Sequence, residues 1–576
     1  MKRIILIIVW LHSIALLNNL FGQNAGEQIN TKYPAEELTV HLSQQCVFSG
    51  EVLWFKIYCT SPLFPEEELS RMAYIELVSD ENEALMRKKI LLKGGEGDGE
   101  FVVPENIQTG VYHLIAYTNW MKNFGEENFF RSTVTIINPN EEFDFPENEG
   151  VPTEITSSEK SREKGNPQEV RVMTDKKEYE TREKVKLKLE TGKEQGGFSG
   201  GKFSVAVCRK EPIQLVNGKV NTTVNKPELP KFINYLPDYK GIRLTGNITD
   251  DSGSPMSGEQ VILSYPGHGT DINGTITNAT GDFHFLLKPD EGEKDIVLTL
   301  SKPNLKLRLE EPFWNGFRTP PTNNLLKPNP EAIAFLKEKY AHFQLQKNFK
   351  QQNFTKNILS EPHRNNDRRF YDKASHVIEL SEYIKLDSLT EYFWELIPSV
   401  RFIKRRGHFD LSVMNLVTYF SFEDAPGVFI DGVPYNDYNQ IAAIPVDKVR
   451  QIAVIDKTYY YRDFTFGGIV DIHTKTGEFN TVKALPEMIR VIYPLGAKAE
   501  TTHLTPDYAN SQPSVNIPDL RYLICWQPDL TINVNGEATV EFYTGDIEGE
   551  YVITCAGISN DGKILHCESE ITVESK

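Results

Sequence analysis

Twelve histidines and six cysteines are spread through 576 residues, and their spacings decide what chemistry is open to the chain. There is no His-Glu-x-x-His and no Cys-x-x-Cys. The spacings that seat a catalytic zinc or a redox dithiol are therefore absent. Asp250-Asp251-Ser252 and Asp80-Glu81-Asn82-Glu83 offer oxygens, but not at the loop spacing calcium requires, and they read as solvated turns. His268, His408 and His566 are expected to face solvent or to stand in strands, outside any catalytic or metal-binding arrangement. No stretch groups a nucleophile, a base and oxyanion donors. The expectation is a protein that is not an enzyme and carries no metal and no cofactor.

Binding chemistry is better represented. Val428-Phe429-Ile430 runs into an Asp431-Gly432 turn, followed by the polar aromatic loop Tyr435-Asn436-Asp437-Tyr438-Asn439-Gln440. Tyr459-Tyr460-Tyr461-Arg462-Asp463-Phe464-Thr465-Phe466 places aromatics beside an arginine, a pairing common at binding surfaces. In a strand, alternate rings pack inward, which leaves Tyr460 and Arg462 outside. The candidate contact residues are Asp431, Gly432, Tyr435, Asp437, Tyr438, Tyr460 and Arg462. Cys555 and Cys567 flank Ser559-Asn560-Asp561-Gly562, a hairpin turn signal. Pairing 559 with 563 sets the two cysteines opposite each other, open to a cross-strand disulfide in an oxidising compartment or to two free core thiols. Asp387-Ser388-Leu389 fits a short acceptor pattern for O-linked glycans in some Gram-negative envelope proteins, and equally a helix cap.

These residues need elements to hold them and a compartment to work in. Met1-Lys2-Arg3, an apolar run from Ile4 to Leu20 and Phe21-Gly22-Gln23 read as a signal peptide, 1–22. No later stretch is long and apolar enough for a spanning helix. The chain is expected to be exported, in the periplasm or associated with the outer membrane or cell surface. The formal charge is −18, and loss of the leader removes two cations and no acid. That excess opposes binding to nucleic acid or to an anionic membrane face.

Alternating patterns fill 35–139: Leu53, Phe55, Ile57 and Cys59 share one strand face, and Val111 to Tyr117 and Ser132 to Ile137 form a late pair. Residues 140–167 are an acidic and polar linker. In 168–237 the opening motif recurs, with Tyr179 standing where Cys46 stands and Val185 where Val52 does. Residues 238–311 make a third small β unit. Asn329-Pro330 starts a helix in 328–372, with Ile333, Leu336, Tyr340 and Phe343 on one face. Leu389 to Ile397 is a helix capped by Asp387 or Ser388, inside a unit spanning 380–478. A last β segment occupies 485–576.

Gly50-Glu51-Val52 with Thr109 to Thr118, the second copy, and the segment from Trp526 to Gly557 resemble macroglobulin-type sandwiches of the alpha-2-macroglobulin superfamily. The string from Gly246 to Phe285 resembles a carboxypeptidase regulatory-like (transthyretin-like) domain, which has no active site of its own. Asp431-Gly432-Val433-Pro434, the strand Val449 to Ile455 and Gly468-Ile469-Val470-Asp471-Ile472-His473-Thr474-Lys475-Thr476-Gly477 resemble, in that order, the plug domain of TonB-dependent receptors. Only 99 residues follow Gly477. They hold one sandwich and not the closed set of spanning strands a receptor barrel needs. Covalent protease traps of the macroglobulin family use Cys-Gly-Glu-Gln. Here Ser257-Gly258-Glu259-Gln260 lacks the thiol, so no thioester is expected.

The expected class is mostly β and multidomain, with tandem immunoglobulin-like, macroglobulin-type β-sandwiches and an α+β plug-like domain. The expected role is a non-catalytic scaffold or docking partner of an outer-membrane transport or assembly complex, acting through the plug-like domain. Alternatives are a macroglobulin-like protease-interacting protein, with Asn140 to Asn166 as the exposed stretch, and a glycan-binding surface protein using Tyr435, Tyr438 and Tyr460.

Overall fold

The computed structural model describes residues 35–61, 70–141, 170–191, 200–212, 233–288, 292–318, 330–348, 355–357, 369–371, 373–416, 419–497, 501–509, 517–533, 536–560 and 562–575. The expected leader 1–22, nearly all of the expected linker 140–167 and most of the polar stretch ending at 372 lie outside them.

In chain order the strands begin with β1 (Glu37–Leu42), β2 (Cys46–Phe48), β3 (Val52–Thr60), β4 (Met72–Val78), β5 (Ala84–Leu91), β6 (Glu96–Val102), β7 (Gly110–Thr118) and β8 (Phe130–Ile137). Next are β9 (Val170–Thr174), β10 (Glu178–Glu180), β11 (Lys184–Thr191) and β12 (Gly201–Arg209). A small unit follows, with β13 (Ile242–Thr249), β14 (Gln260–Ser264), β15 (Ile272–Ile276), β16 (Asp282–Leu287), β17 (Glu293–Leu300) and β18 (Lys306–Leu309). The helix Pro330–Asn348 and β19 (Thr355–Asn357) lead to a mixed unit. It contains β20 (His376–Glu379), the helix Leu389–Leu396, β21 (Val400–Arg405), β22 (His408–Val413), β23 (Gly427–Ile430), β24 (Val433–Pro434), the short helix Tyr438–Ala442, β25 (Val449–Tyr461) and β26 (Phe464–Thr474). The chain continues with β27 (Met488–Pro494), β28 (Thr501–His503), β29 (Leu523–Ile532), β30 (Glu537–Tyr543), β31 (Gly549–Ser559) and β32 (Ile564–Glu574). The class is mostly β and multidomain.

The first eight strands form a sandwich with sheet orders β1-β3-β6 and β2-β8-β7-β4-β5. The alternation in β3 works as expected: Leu53, Phe55, Ile57 and Cys59 enter one core with Ile75, Leu77 and Leu114. The second copy does not close by itself. Its strands interleave with the last four, in sheets β10-β32-β31-β12-β29 and β30-β11-β9, around a single core holding Tyr179, Val185, Leu187, Val205, Ile553 and Val573. The separate sandwiches expected at 168–237 and 485–576 are thus one composite sandwich. Four strands with one buried face each leave their apolar side uncovered, and only the distant strands cover it. The repeat itself is visible in the pairing, because the short strands β2 and β10 each lie parallel to the last strand of their own sandwich.

The small unit is also completed from afar. Its sheets are β16-β13-β18 and β15-β14-β17-β27, with β27 antiparallel to β17, so 488–494 belongs here and not to the last sandwich. The mixed unit has a five-stranded sheet, β20-β25-β26-β23-β24, and the two-stranded ribbon β21-β22.

The two sandwiches meet face to face. His41 bonds Ser204 Oγ through Nδ1 (2.7 Å) and Thr554 Oγ1 through Nε2 (2.9 Å). Trp54 meets the His503 ring edge-on at 5.4 Å, and Trp54, Leu523 and Trp526 form a small apolar cluster. The helix Pro330–Asn348 spans the same junction. Its Phe335 and Leu336 pack with Cys46 and Phe48 of the first sandwich and with Tyr522 and Ile547 of the second. Buried Lys339 donates to the Cys46 carbonyl (2.8 Å) and to Glu211 Oε1 (3.1 Å), above the rings of Phe48 and Tyr522.

Candidate partner-docking site

The five-stranded sheet of the mixed unit is covered on both faces. On β26, Val470 and Ile472 join a core with Leu389, Tyr392 and Phe393 of the helix and with Ile441 of the short helix. The other parity, Ile469, Asp471 and His473, faces the small unit. There Ile272 and Tyr371 pack with Phe429, Ile455 and Phe464. Within this seam Asp471 Oδ2 accepts from Thr270 Oγ1 (2.5 Å) and Tyr371 OH (2.5 Å), and His473 Nε2 stands 3.1 Å away. Burial pushes the Asp471 carboxyl up, but His473 and the two hydroxyls outweigh it and hold it below the usual carboxylate range.

The Asp431-Gly432 turn is spent in the same seam. Its two residues join β23 to β24 with positive φ, 47° and 80°, as a two-residue hairpin turn demands. The Asp431 carbonyl accepts from Gly267 N–H (2.9 Å). Its carboxylate accepts from Thr474 N–H (2.7 Å), Thr474 Oγ1 (2.6 Å) and Phe479 N–H (3.1 Å). A Cβ on Gly432 would come within 2.5 Å of the Gly269 carbonyl oxygen, so the loop of the small unit needs a glycine here.

Five of the seven candidate contacts are therefore corrected. Asp431 and Gly432 are fully engaged and buried. Tyr435 is buried, its hydroxyl donating to the Lys483 carbonyl (2.7 Å) and its ring against Phe479. Asp437 caps the short helix, accepting from Asn439 and Gln440 N–H. Tyr438 is half-buried against the unit's core, and burial raises its phenol. In each case the side chain serves the fold.

Tyr460 and Arg462 do face solvent. Tyr459, Tyr461 and Phe466 pack with Phe370 on the opposite side of the hairpin, and Tyr460 is 74% exposed. Sequence reading passed over a larger aromatic display. Trp394 is 73% exposed on the helix Leu389–Leu396, off the Leu389, Tyr392 and Phe393 stripe that faces the core. Its position outside that three-to-four spacing was a readable signal. Tyr383, Ile384, Tyr419 and Phe420 are exposed as well, Tyr419 with a positive φ of 59°.

The chemical alternatives have definite geometry. Ser204 and His41 form a hydroxyl–imidazole pair, but Ser204 is sealed between two sheets and the second imidazole nitrogen bonds a threonine hydroxyl, not a carboxylate. Burial lowers the His41 pKa to about 3. Ser257-Gly258-Glu259-Gln260 enters β14, where Glu259 pairs with Lys302 (2.6 Å). Among the described residues no group of three or more His, Cys, Asp or Glu is arranged for a metal. Cys555 and Cys567 lie opposite each other in β31 and β32 and are joined as a disulfide, Cα–Cα 5.0 Å. Ser388 caps its helix, accepting from Glu391 N–H (3.3 Å).

No family model matches the sequence, and no curated protein does. Solved structures that align with it include bacterial alpha-2-macroglobulins. The Salmonella protein reacted with methylamine is 9% identical, with 94% of this chain and 40% of that one covered and a TM-score of 0.24. The native Escherichia coli protein is 10% identical with the same coverage and TM-score. The elastase-activated form of the Escherichia coli protein is 10% identical over 94% and 44%, again at 0.24. This chain thus spans less than half the length of those chains, and the superposition is too loose to carry an argument.

Proposed function

We propose that the chain is an exported, non-catalytic scaffold that docks on an outer-membrane protein or complex through its mixed unit, the segment that resembles a receptor plug. One observation carries this reading. All the exposed aromatic side chains among the described residues, Tyr383, Trp394, Tyr419, Phe420 and Tyr460, belong to that unit. Solvent-facing Trp and Tyr are the side chains that anchor interfaces, and exposing them has no benefit to the fold. The two sandwiches and the small unit act as the rigid arm that presents them. A barrel could receive this unit only with its attached small unit, because the Asp431 turn and the Asp471 face are already occupied.

The glycan-binding alternative loses two of its three tyrosines to packing, and no specific observation favours the protease-interacting one. Crosslinking in native envelopes, with a photoreactive residue at Trp394 or Tyr460, tests the proposal. Adducts to an outer-membrane protein support it. A chain that yields no adduct and fractionates as a soluble monomer sinks it.

A further inference from the structure

Four cations stand within six residues of one ribbon: Arg401, Lys404, Arg405 and Arg406. β21 and β22 pair from Val400↔Val413 to Arg405↔His408, and Arg406-Gly407 closes the turn with φ of 49° and 92°. Asn or Gly is at ease in such a turn, whereas an arginine there is strained, and strain of this kind persists where the side chain has a use. All four cations are exposed, and none forms an ion pair with a described residue. Lys404 lies over the Phe409 ring at 5.5 Å. The ribbon's own acid, Asp410, stands opposite Ile403 on the face shared by Arg401 and Arg405, one acid against four cations. This cluster belongs to a chain whose formal charge is −18.

We infer that the ribbon tip docks on an anionic lipid headgroup layer. Phe402 and Leu411 bury one side of the ribbon near its base. Arg401 and Arg405 project from the opposite side, Lys404 shares the Phe402 side beyond the core, and Arg406 crowns the turn. A flat acidic protein face meets one side of such a ribbon. A headgroup layer surrounds an inserted tip with phosphates, which guanidinium groups bind in bidentate fashion. Charges beyond roughly 8 Å are screened at physiological salt, so the acidic remainder of the chain does not cancel the tip. The inference goes beyond docking on a protein partner, because it gives the same unit a contact with the membrane itself.

Co-sedimentation of the full chain with vesicles tests it. Phosphatidylcholine vesicles and vesicles with roughly one third phosphatidylglycerol are compared, since each basic residue near an anionic surface is worth about a fivefold change. The wild type is expected to bind the anionic vesicles only, and to release in high salt. Arg401→Gln/Lys404→Gln/Arg405→Gln should weaken binding about a hundredfold on that scale. Arg406→Gly relaxes the turn, so it should keep or raise thermal stability while still weakening binding, which separates folding from contact. Equal binding to both vesicle types, or unchanged binding of the triple variant, overturns the inference. So does capture of an acidic protein through the ribbon with no vesicle binding.

Discussion

Thr270 of the small unit donates its hydroxyl to Asp471 in the middle of the mixed unit's sheet, at 2.5 Å, with both residues fully buried. Two units that sequence alone separates are joined by a charge that water does not reach.

Thr270→Val should therefore destabilise the chain by about 1–3 kcal/mol, the usual cost of removing one partner from a buried polar group. Denaturant unfolding measures it. Asp471 titrates lower in the folded state than in the unfolded chain, so its contribution is present above the unfolded carboxylate pKa and fades as pH falls through the folded value. Acid should weaken this seam only below the ordinary carboxylate range.

His41 and His503 work on a different pH window. Burial lowers both to about 3, against 6.5 for the free side chain. Between those values the unfolded chain binds the proton and the folded one does not, so stability is lost as pH falls from about 6.5 toward 3. The full effect is on the order of 5 kcal/mol per imidazole. His41→Gln should flatten the melting temperature against pH in this range. A slope equal to the wild type's would exclude His41 as a source.

Lys339→Ala leaves Glu211 without its cation inside the junction of the two sandwiches. Removing one partner of a buried pair costs about 3–5 kcal/mol, and Lys339→Met, which keeps the apolar stem, should cost less. Limited proteolysis should find cleavage within 330–348 in the alanine variant before either sandwich is cut.

Reducing Cys555–Cys567 frees the β31-β32 hairpin. A bridge closing a loop of this size is worth about 2–4 kcal/mol, so unfolding with and without reductant should differ by that amount. Cys555→Ser should reproduce the reduced value.

Several local features were legible in the residues. The inward side of β3, the Ser388 cap, the outward Tyr460 and the cysteines brought opposite each other all follow from short-range periodicity or turn chemistry. Partner choice was not. Val185 and Phe542 are both apolar strand residues, yet nothing local says they pair. The Asp431 turn looked like a free loop because its cover, Tyr265 to Thr270, is a glycine-rich stretch without apolar period. Burial by such a loop leaves no pattern in sequence.

The composite sandwich imposes a timetable on synthesis. β11 waits for β30, more than three hundred residues downstream, before its apolar side is shielded. The small unit and the mixed unit between can mature first while those early strands remain sticky. A ribosome stalled anywhere before the final strands would release a half-built product that invites chaperones or clumping, whatever the condition of the units already finished.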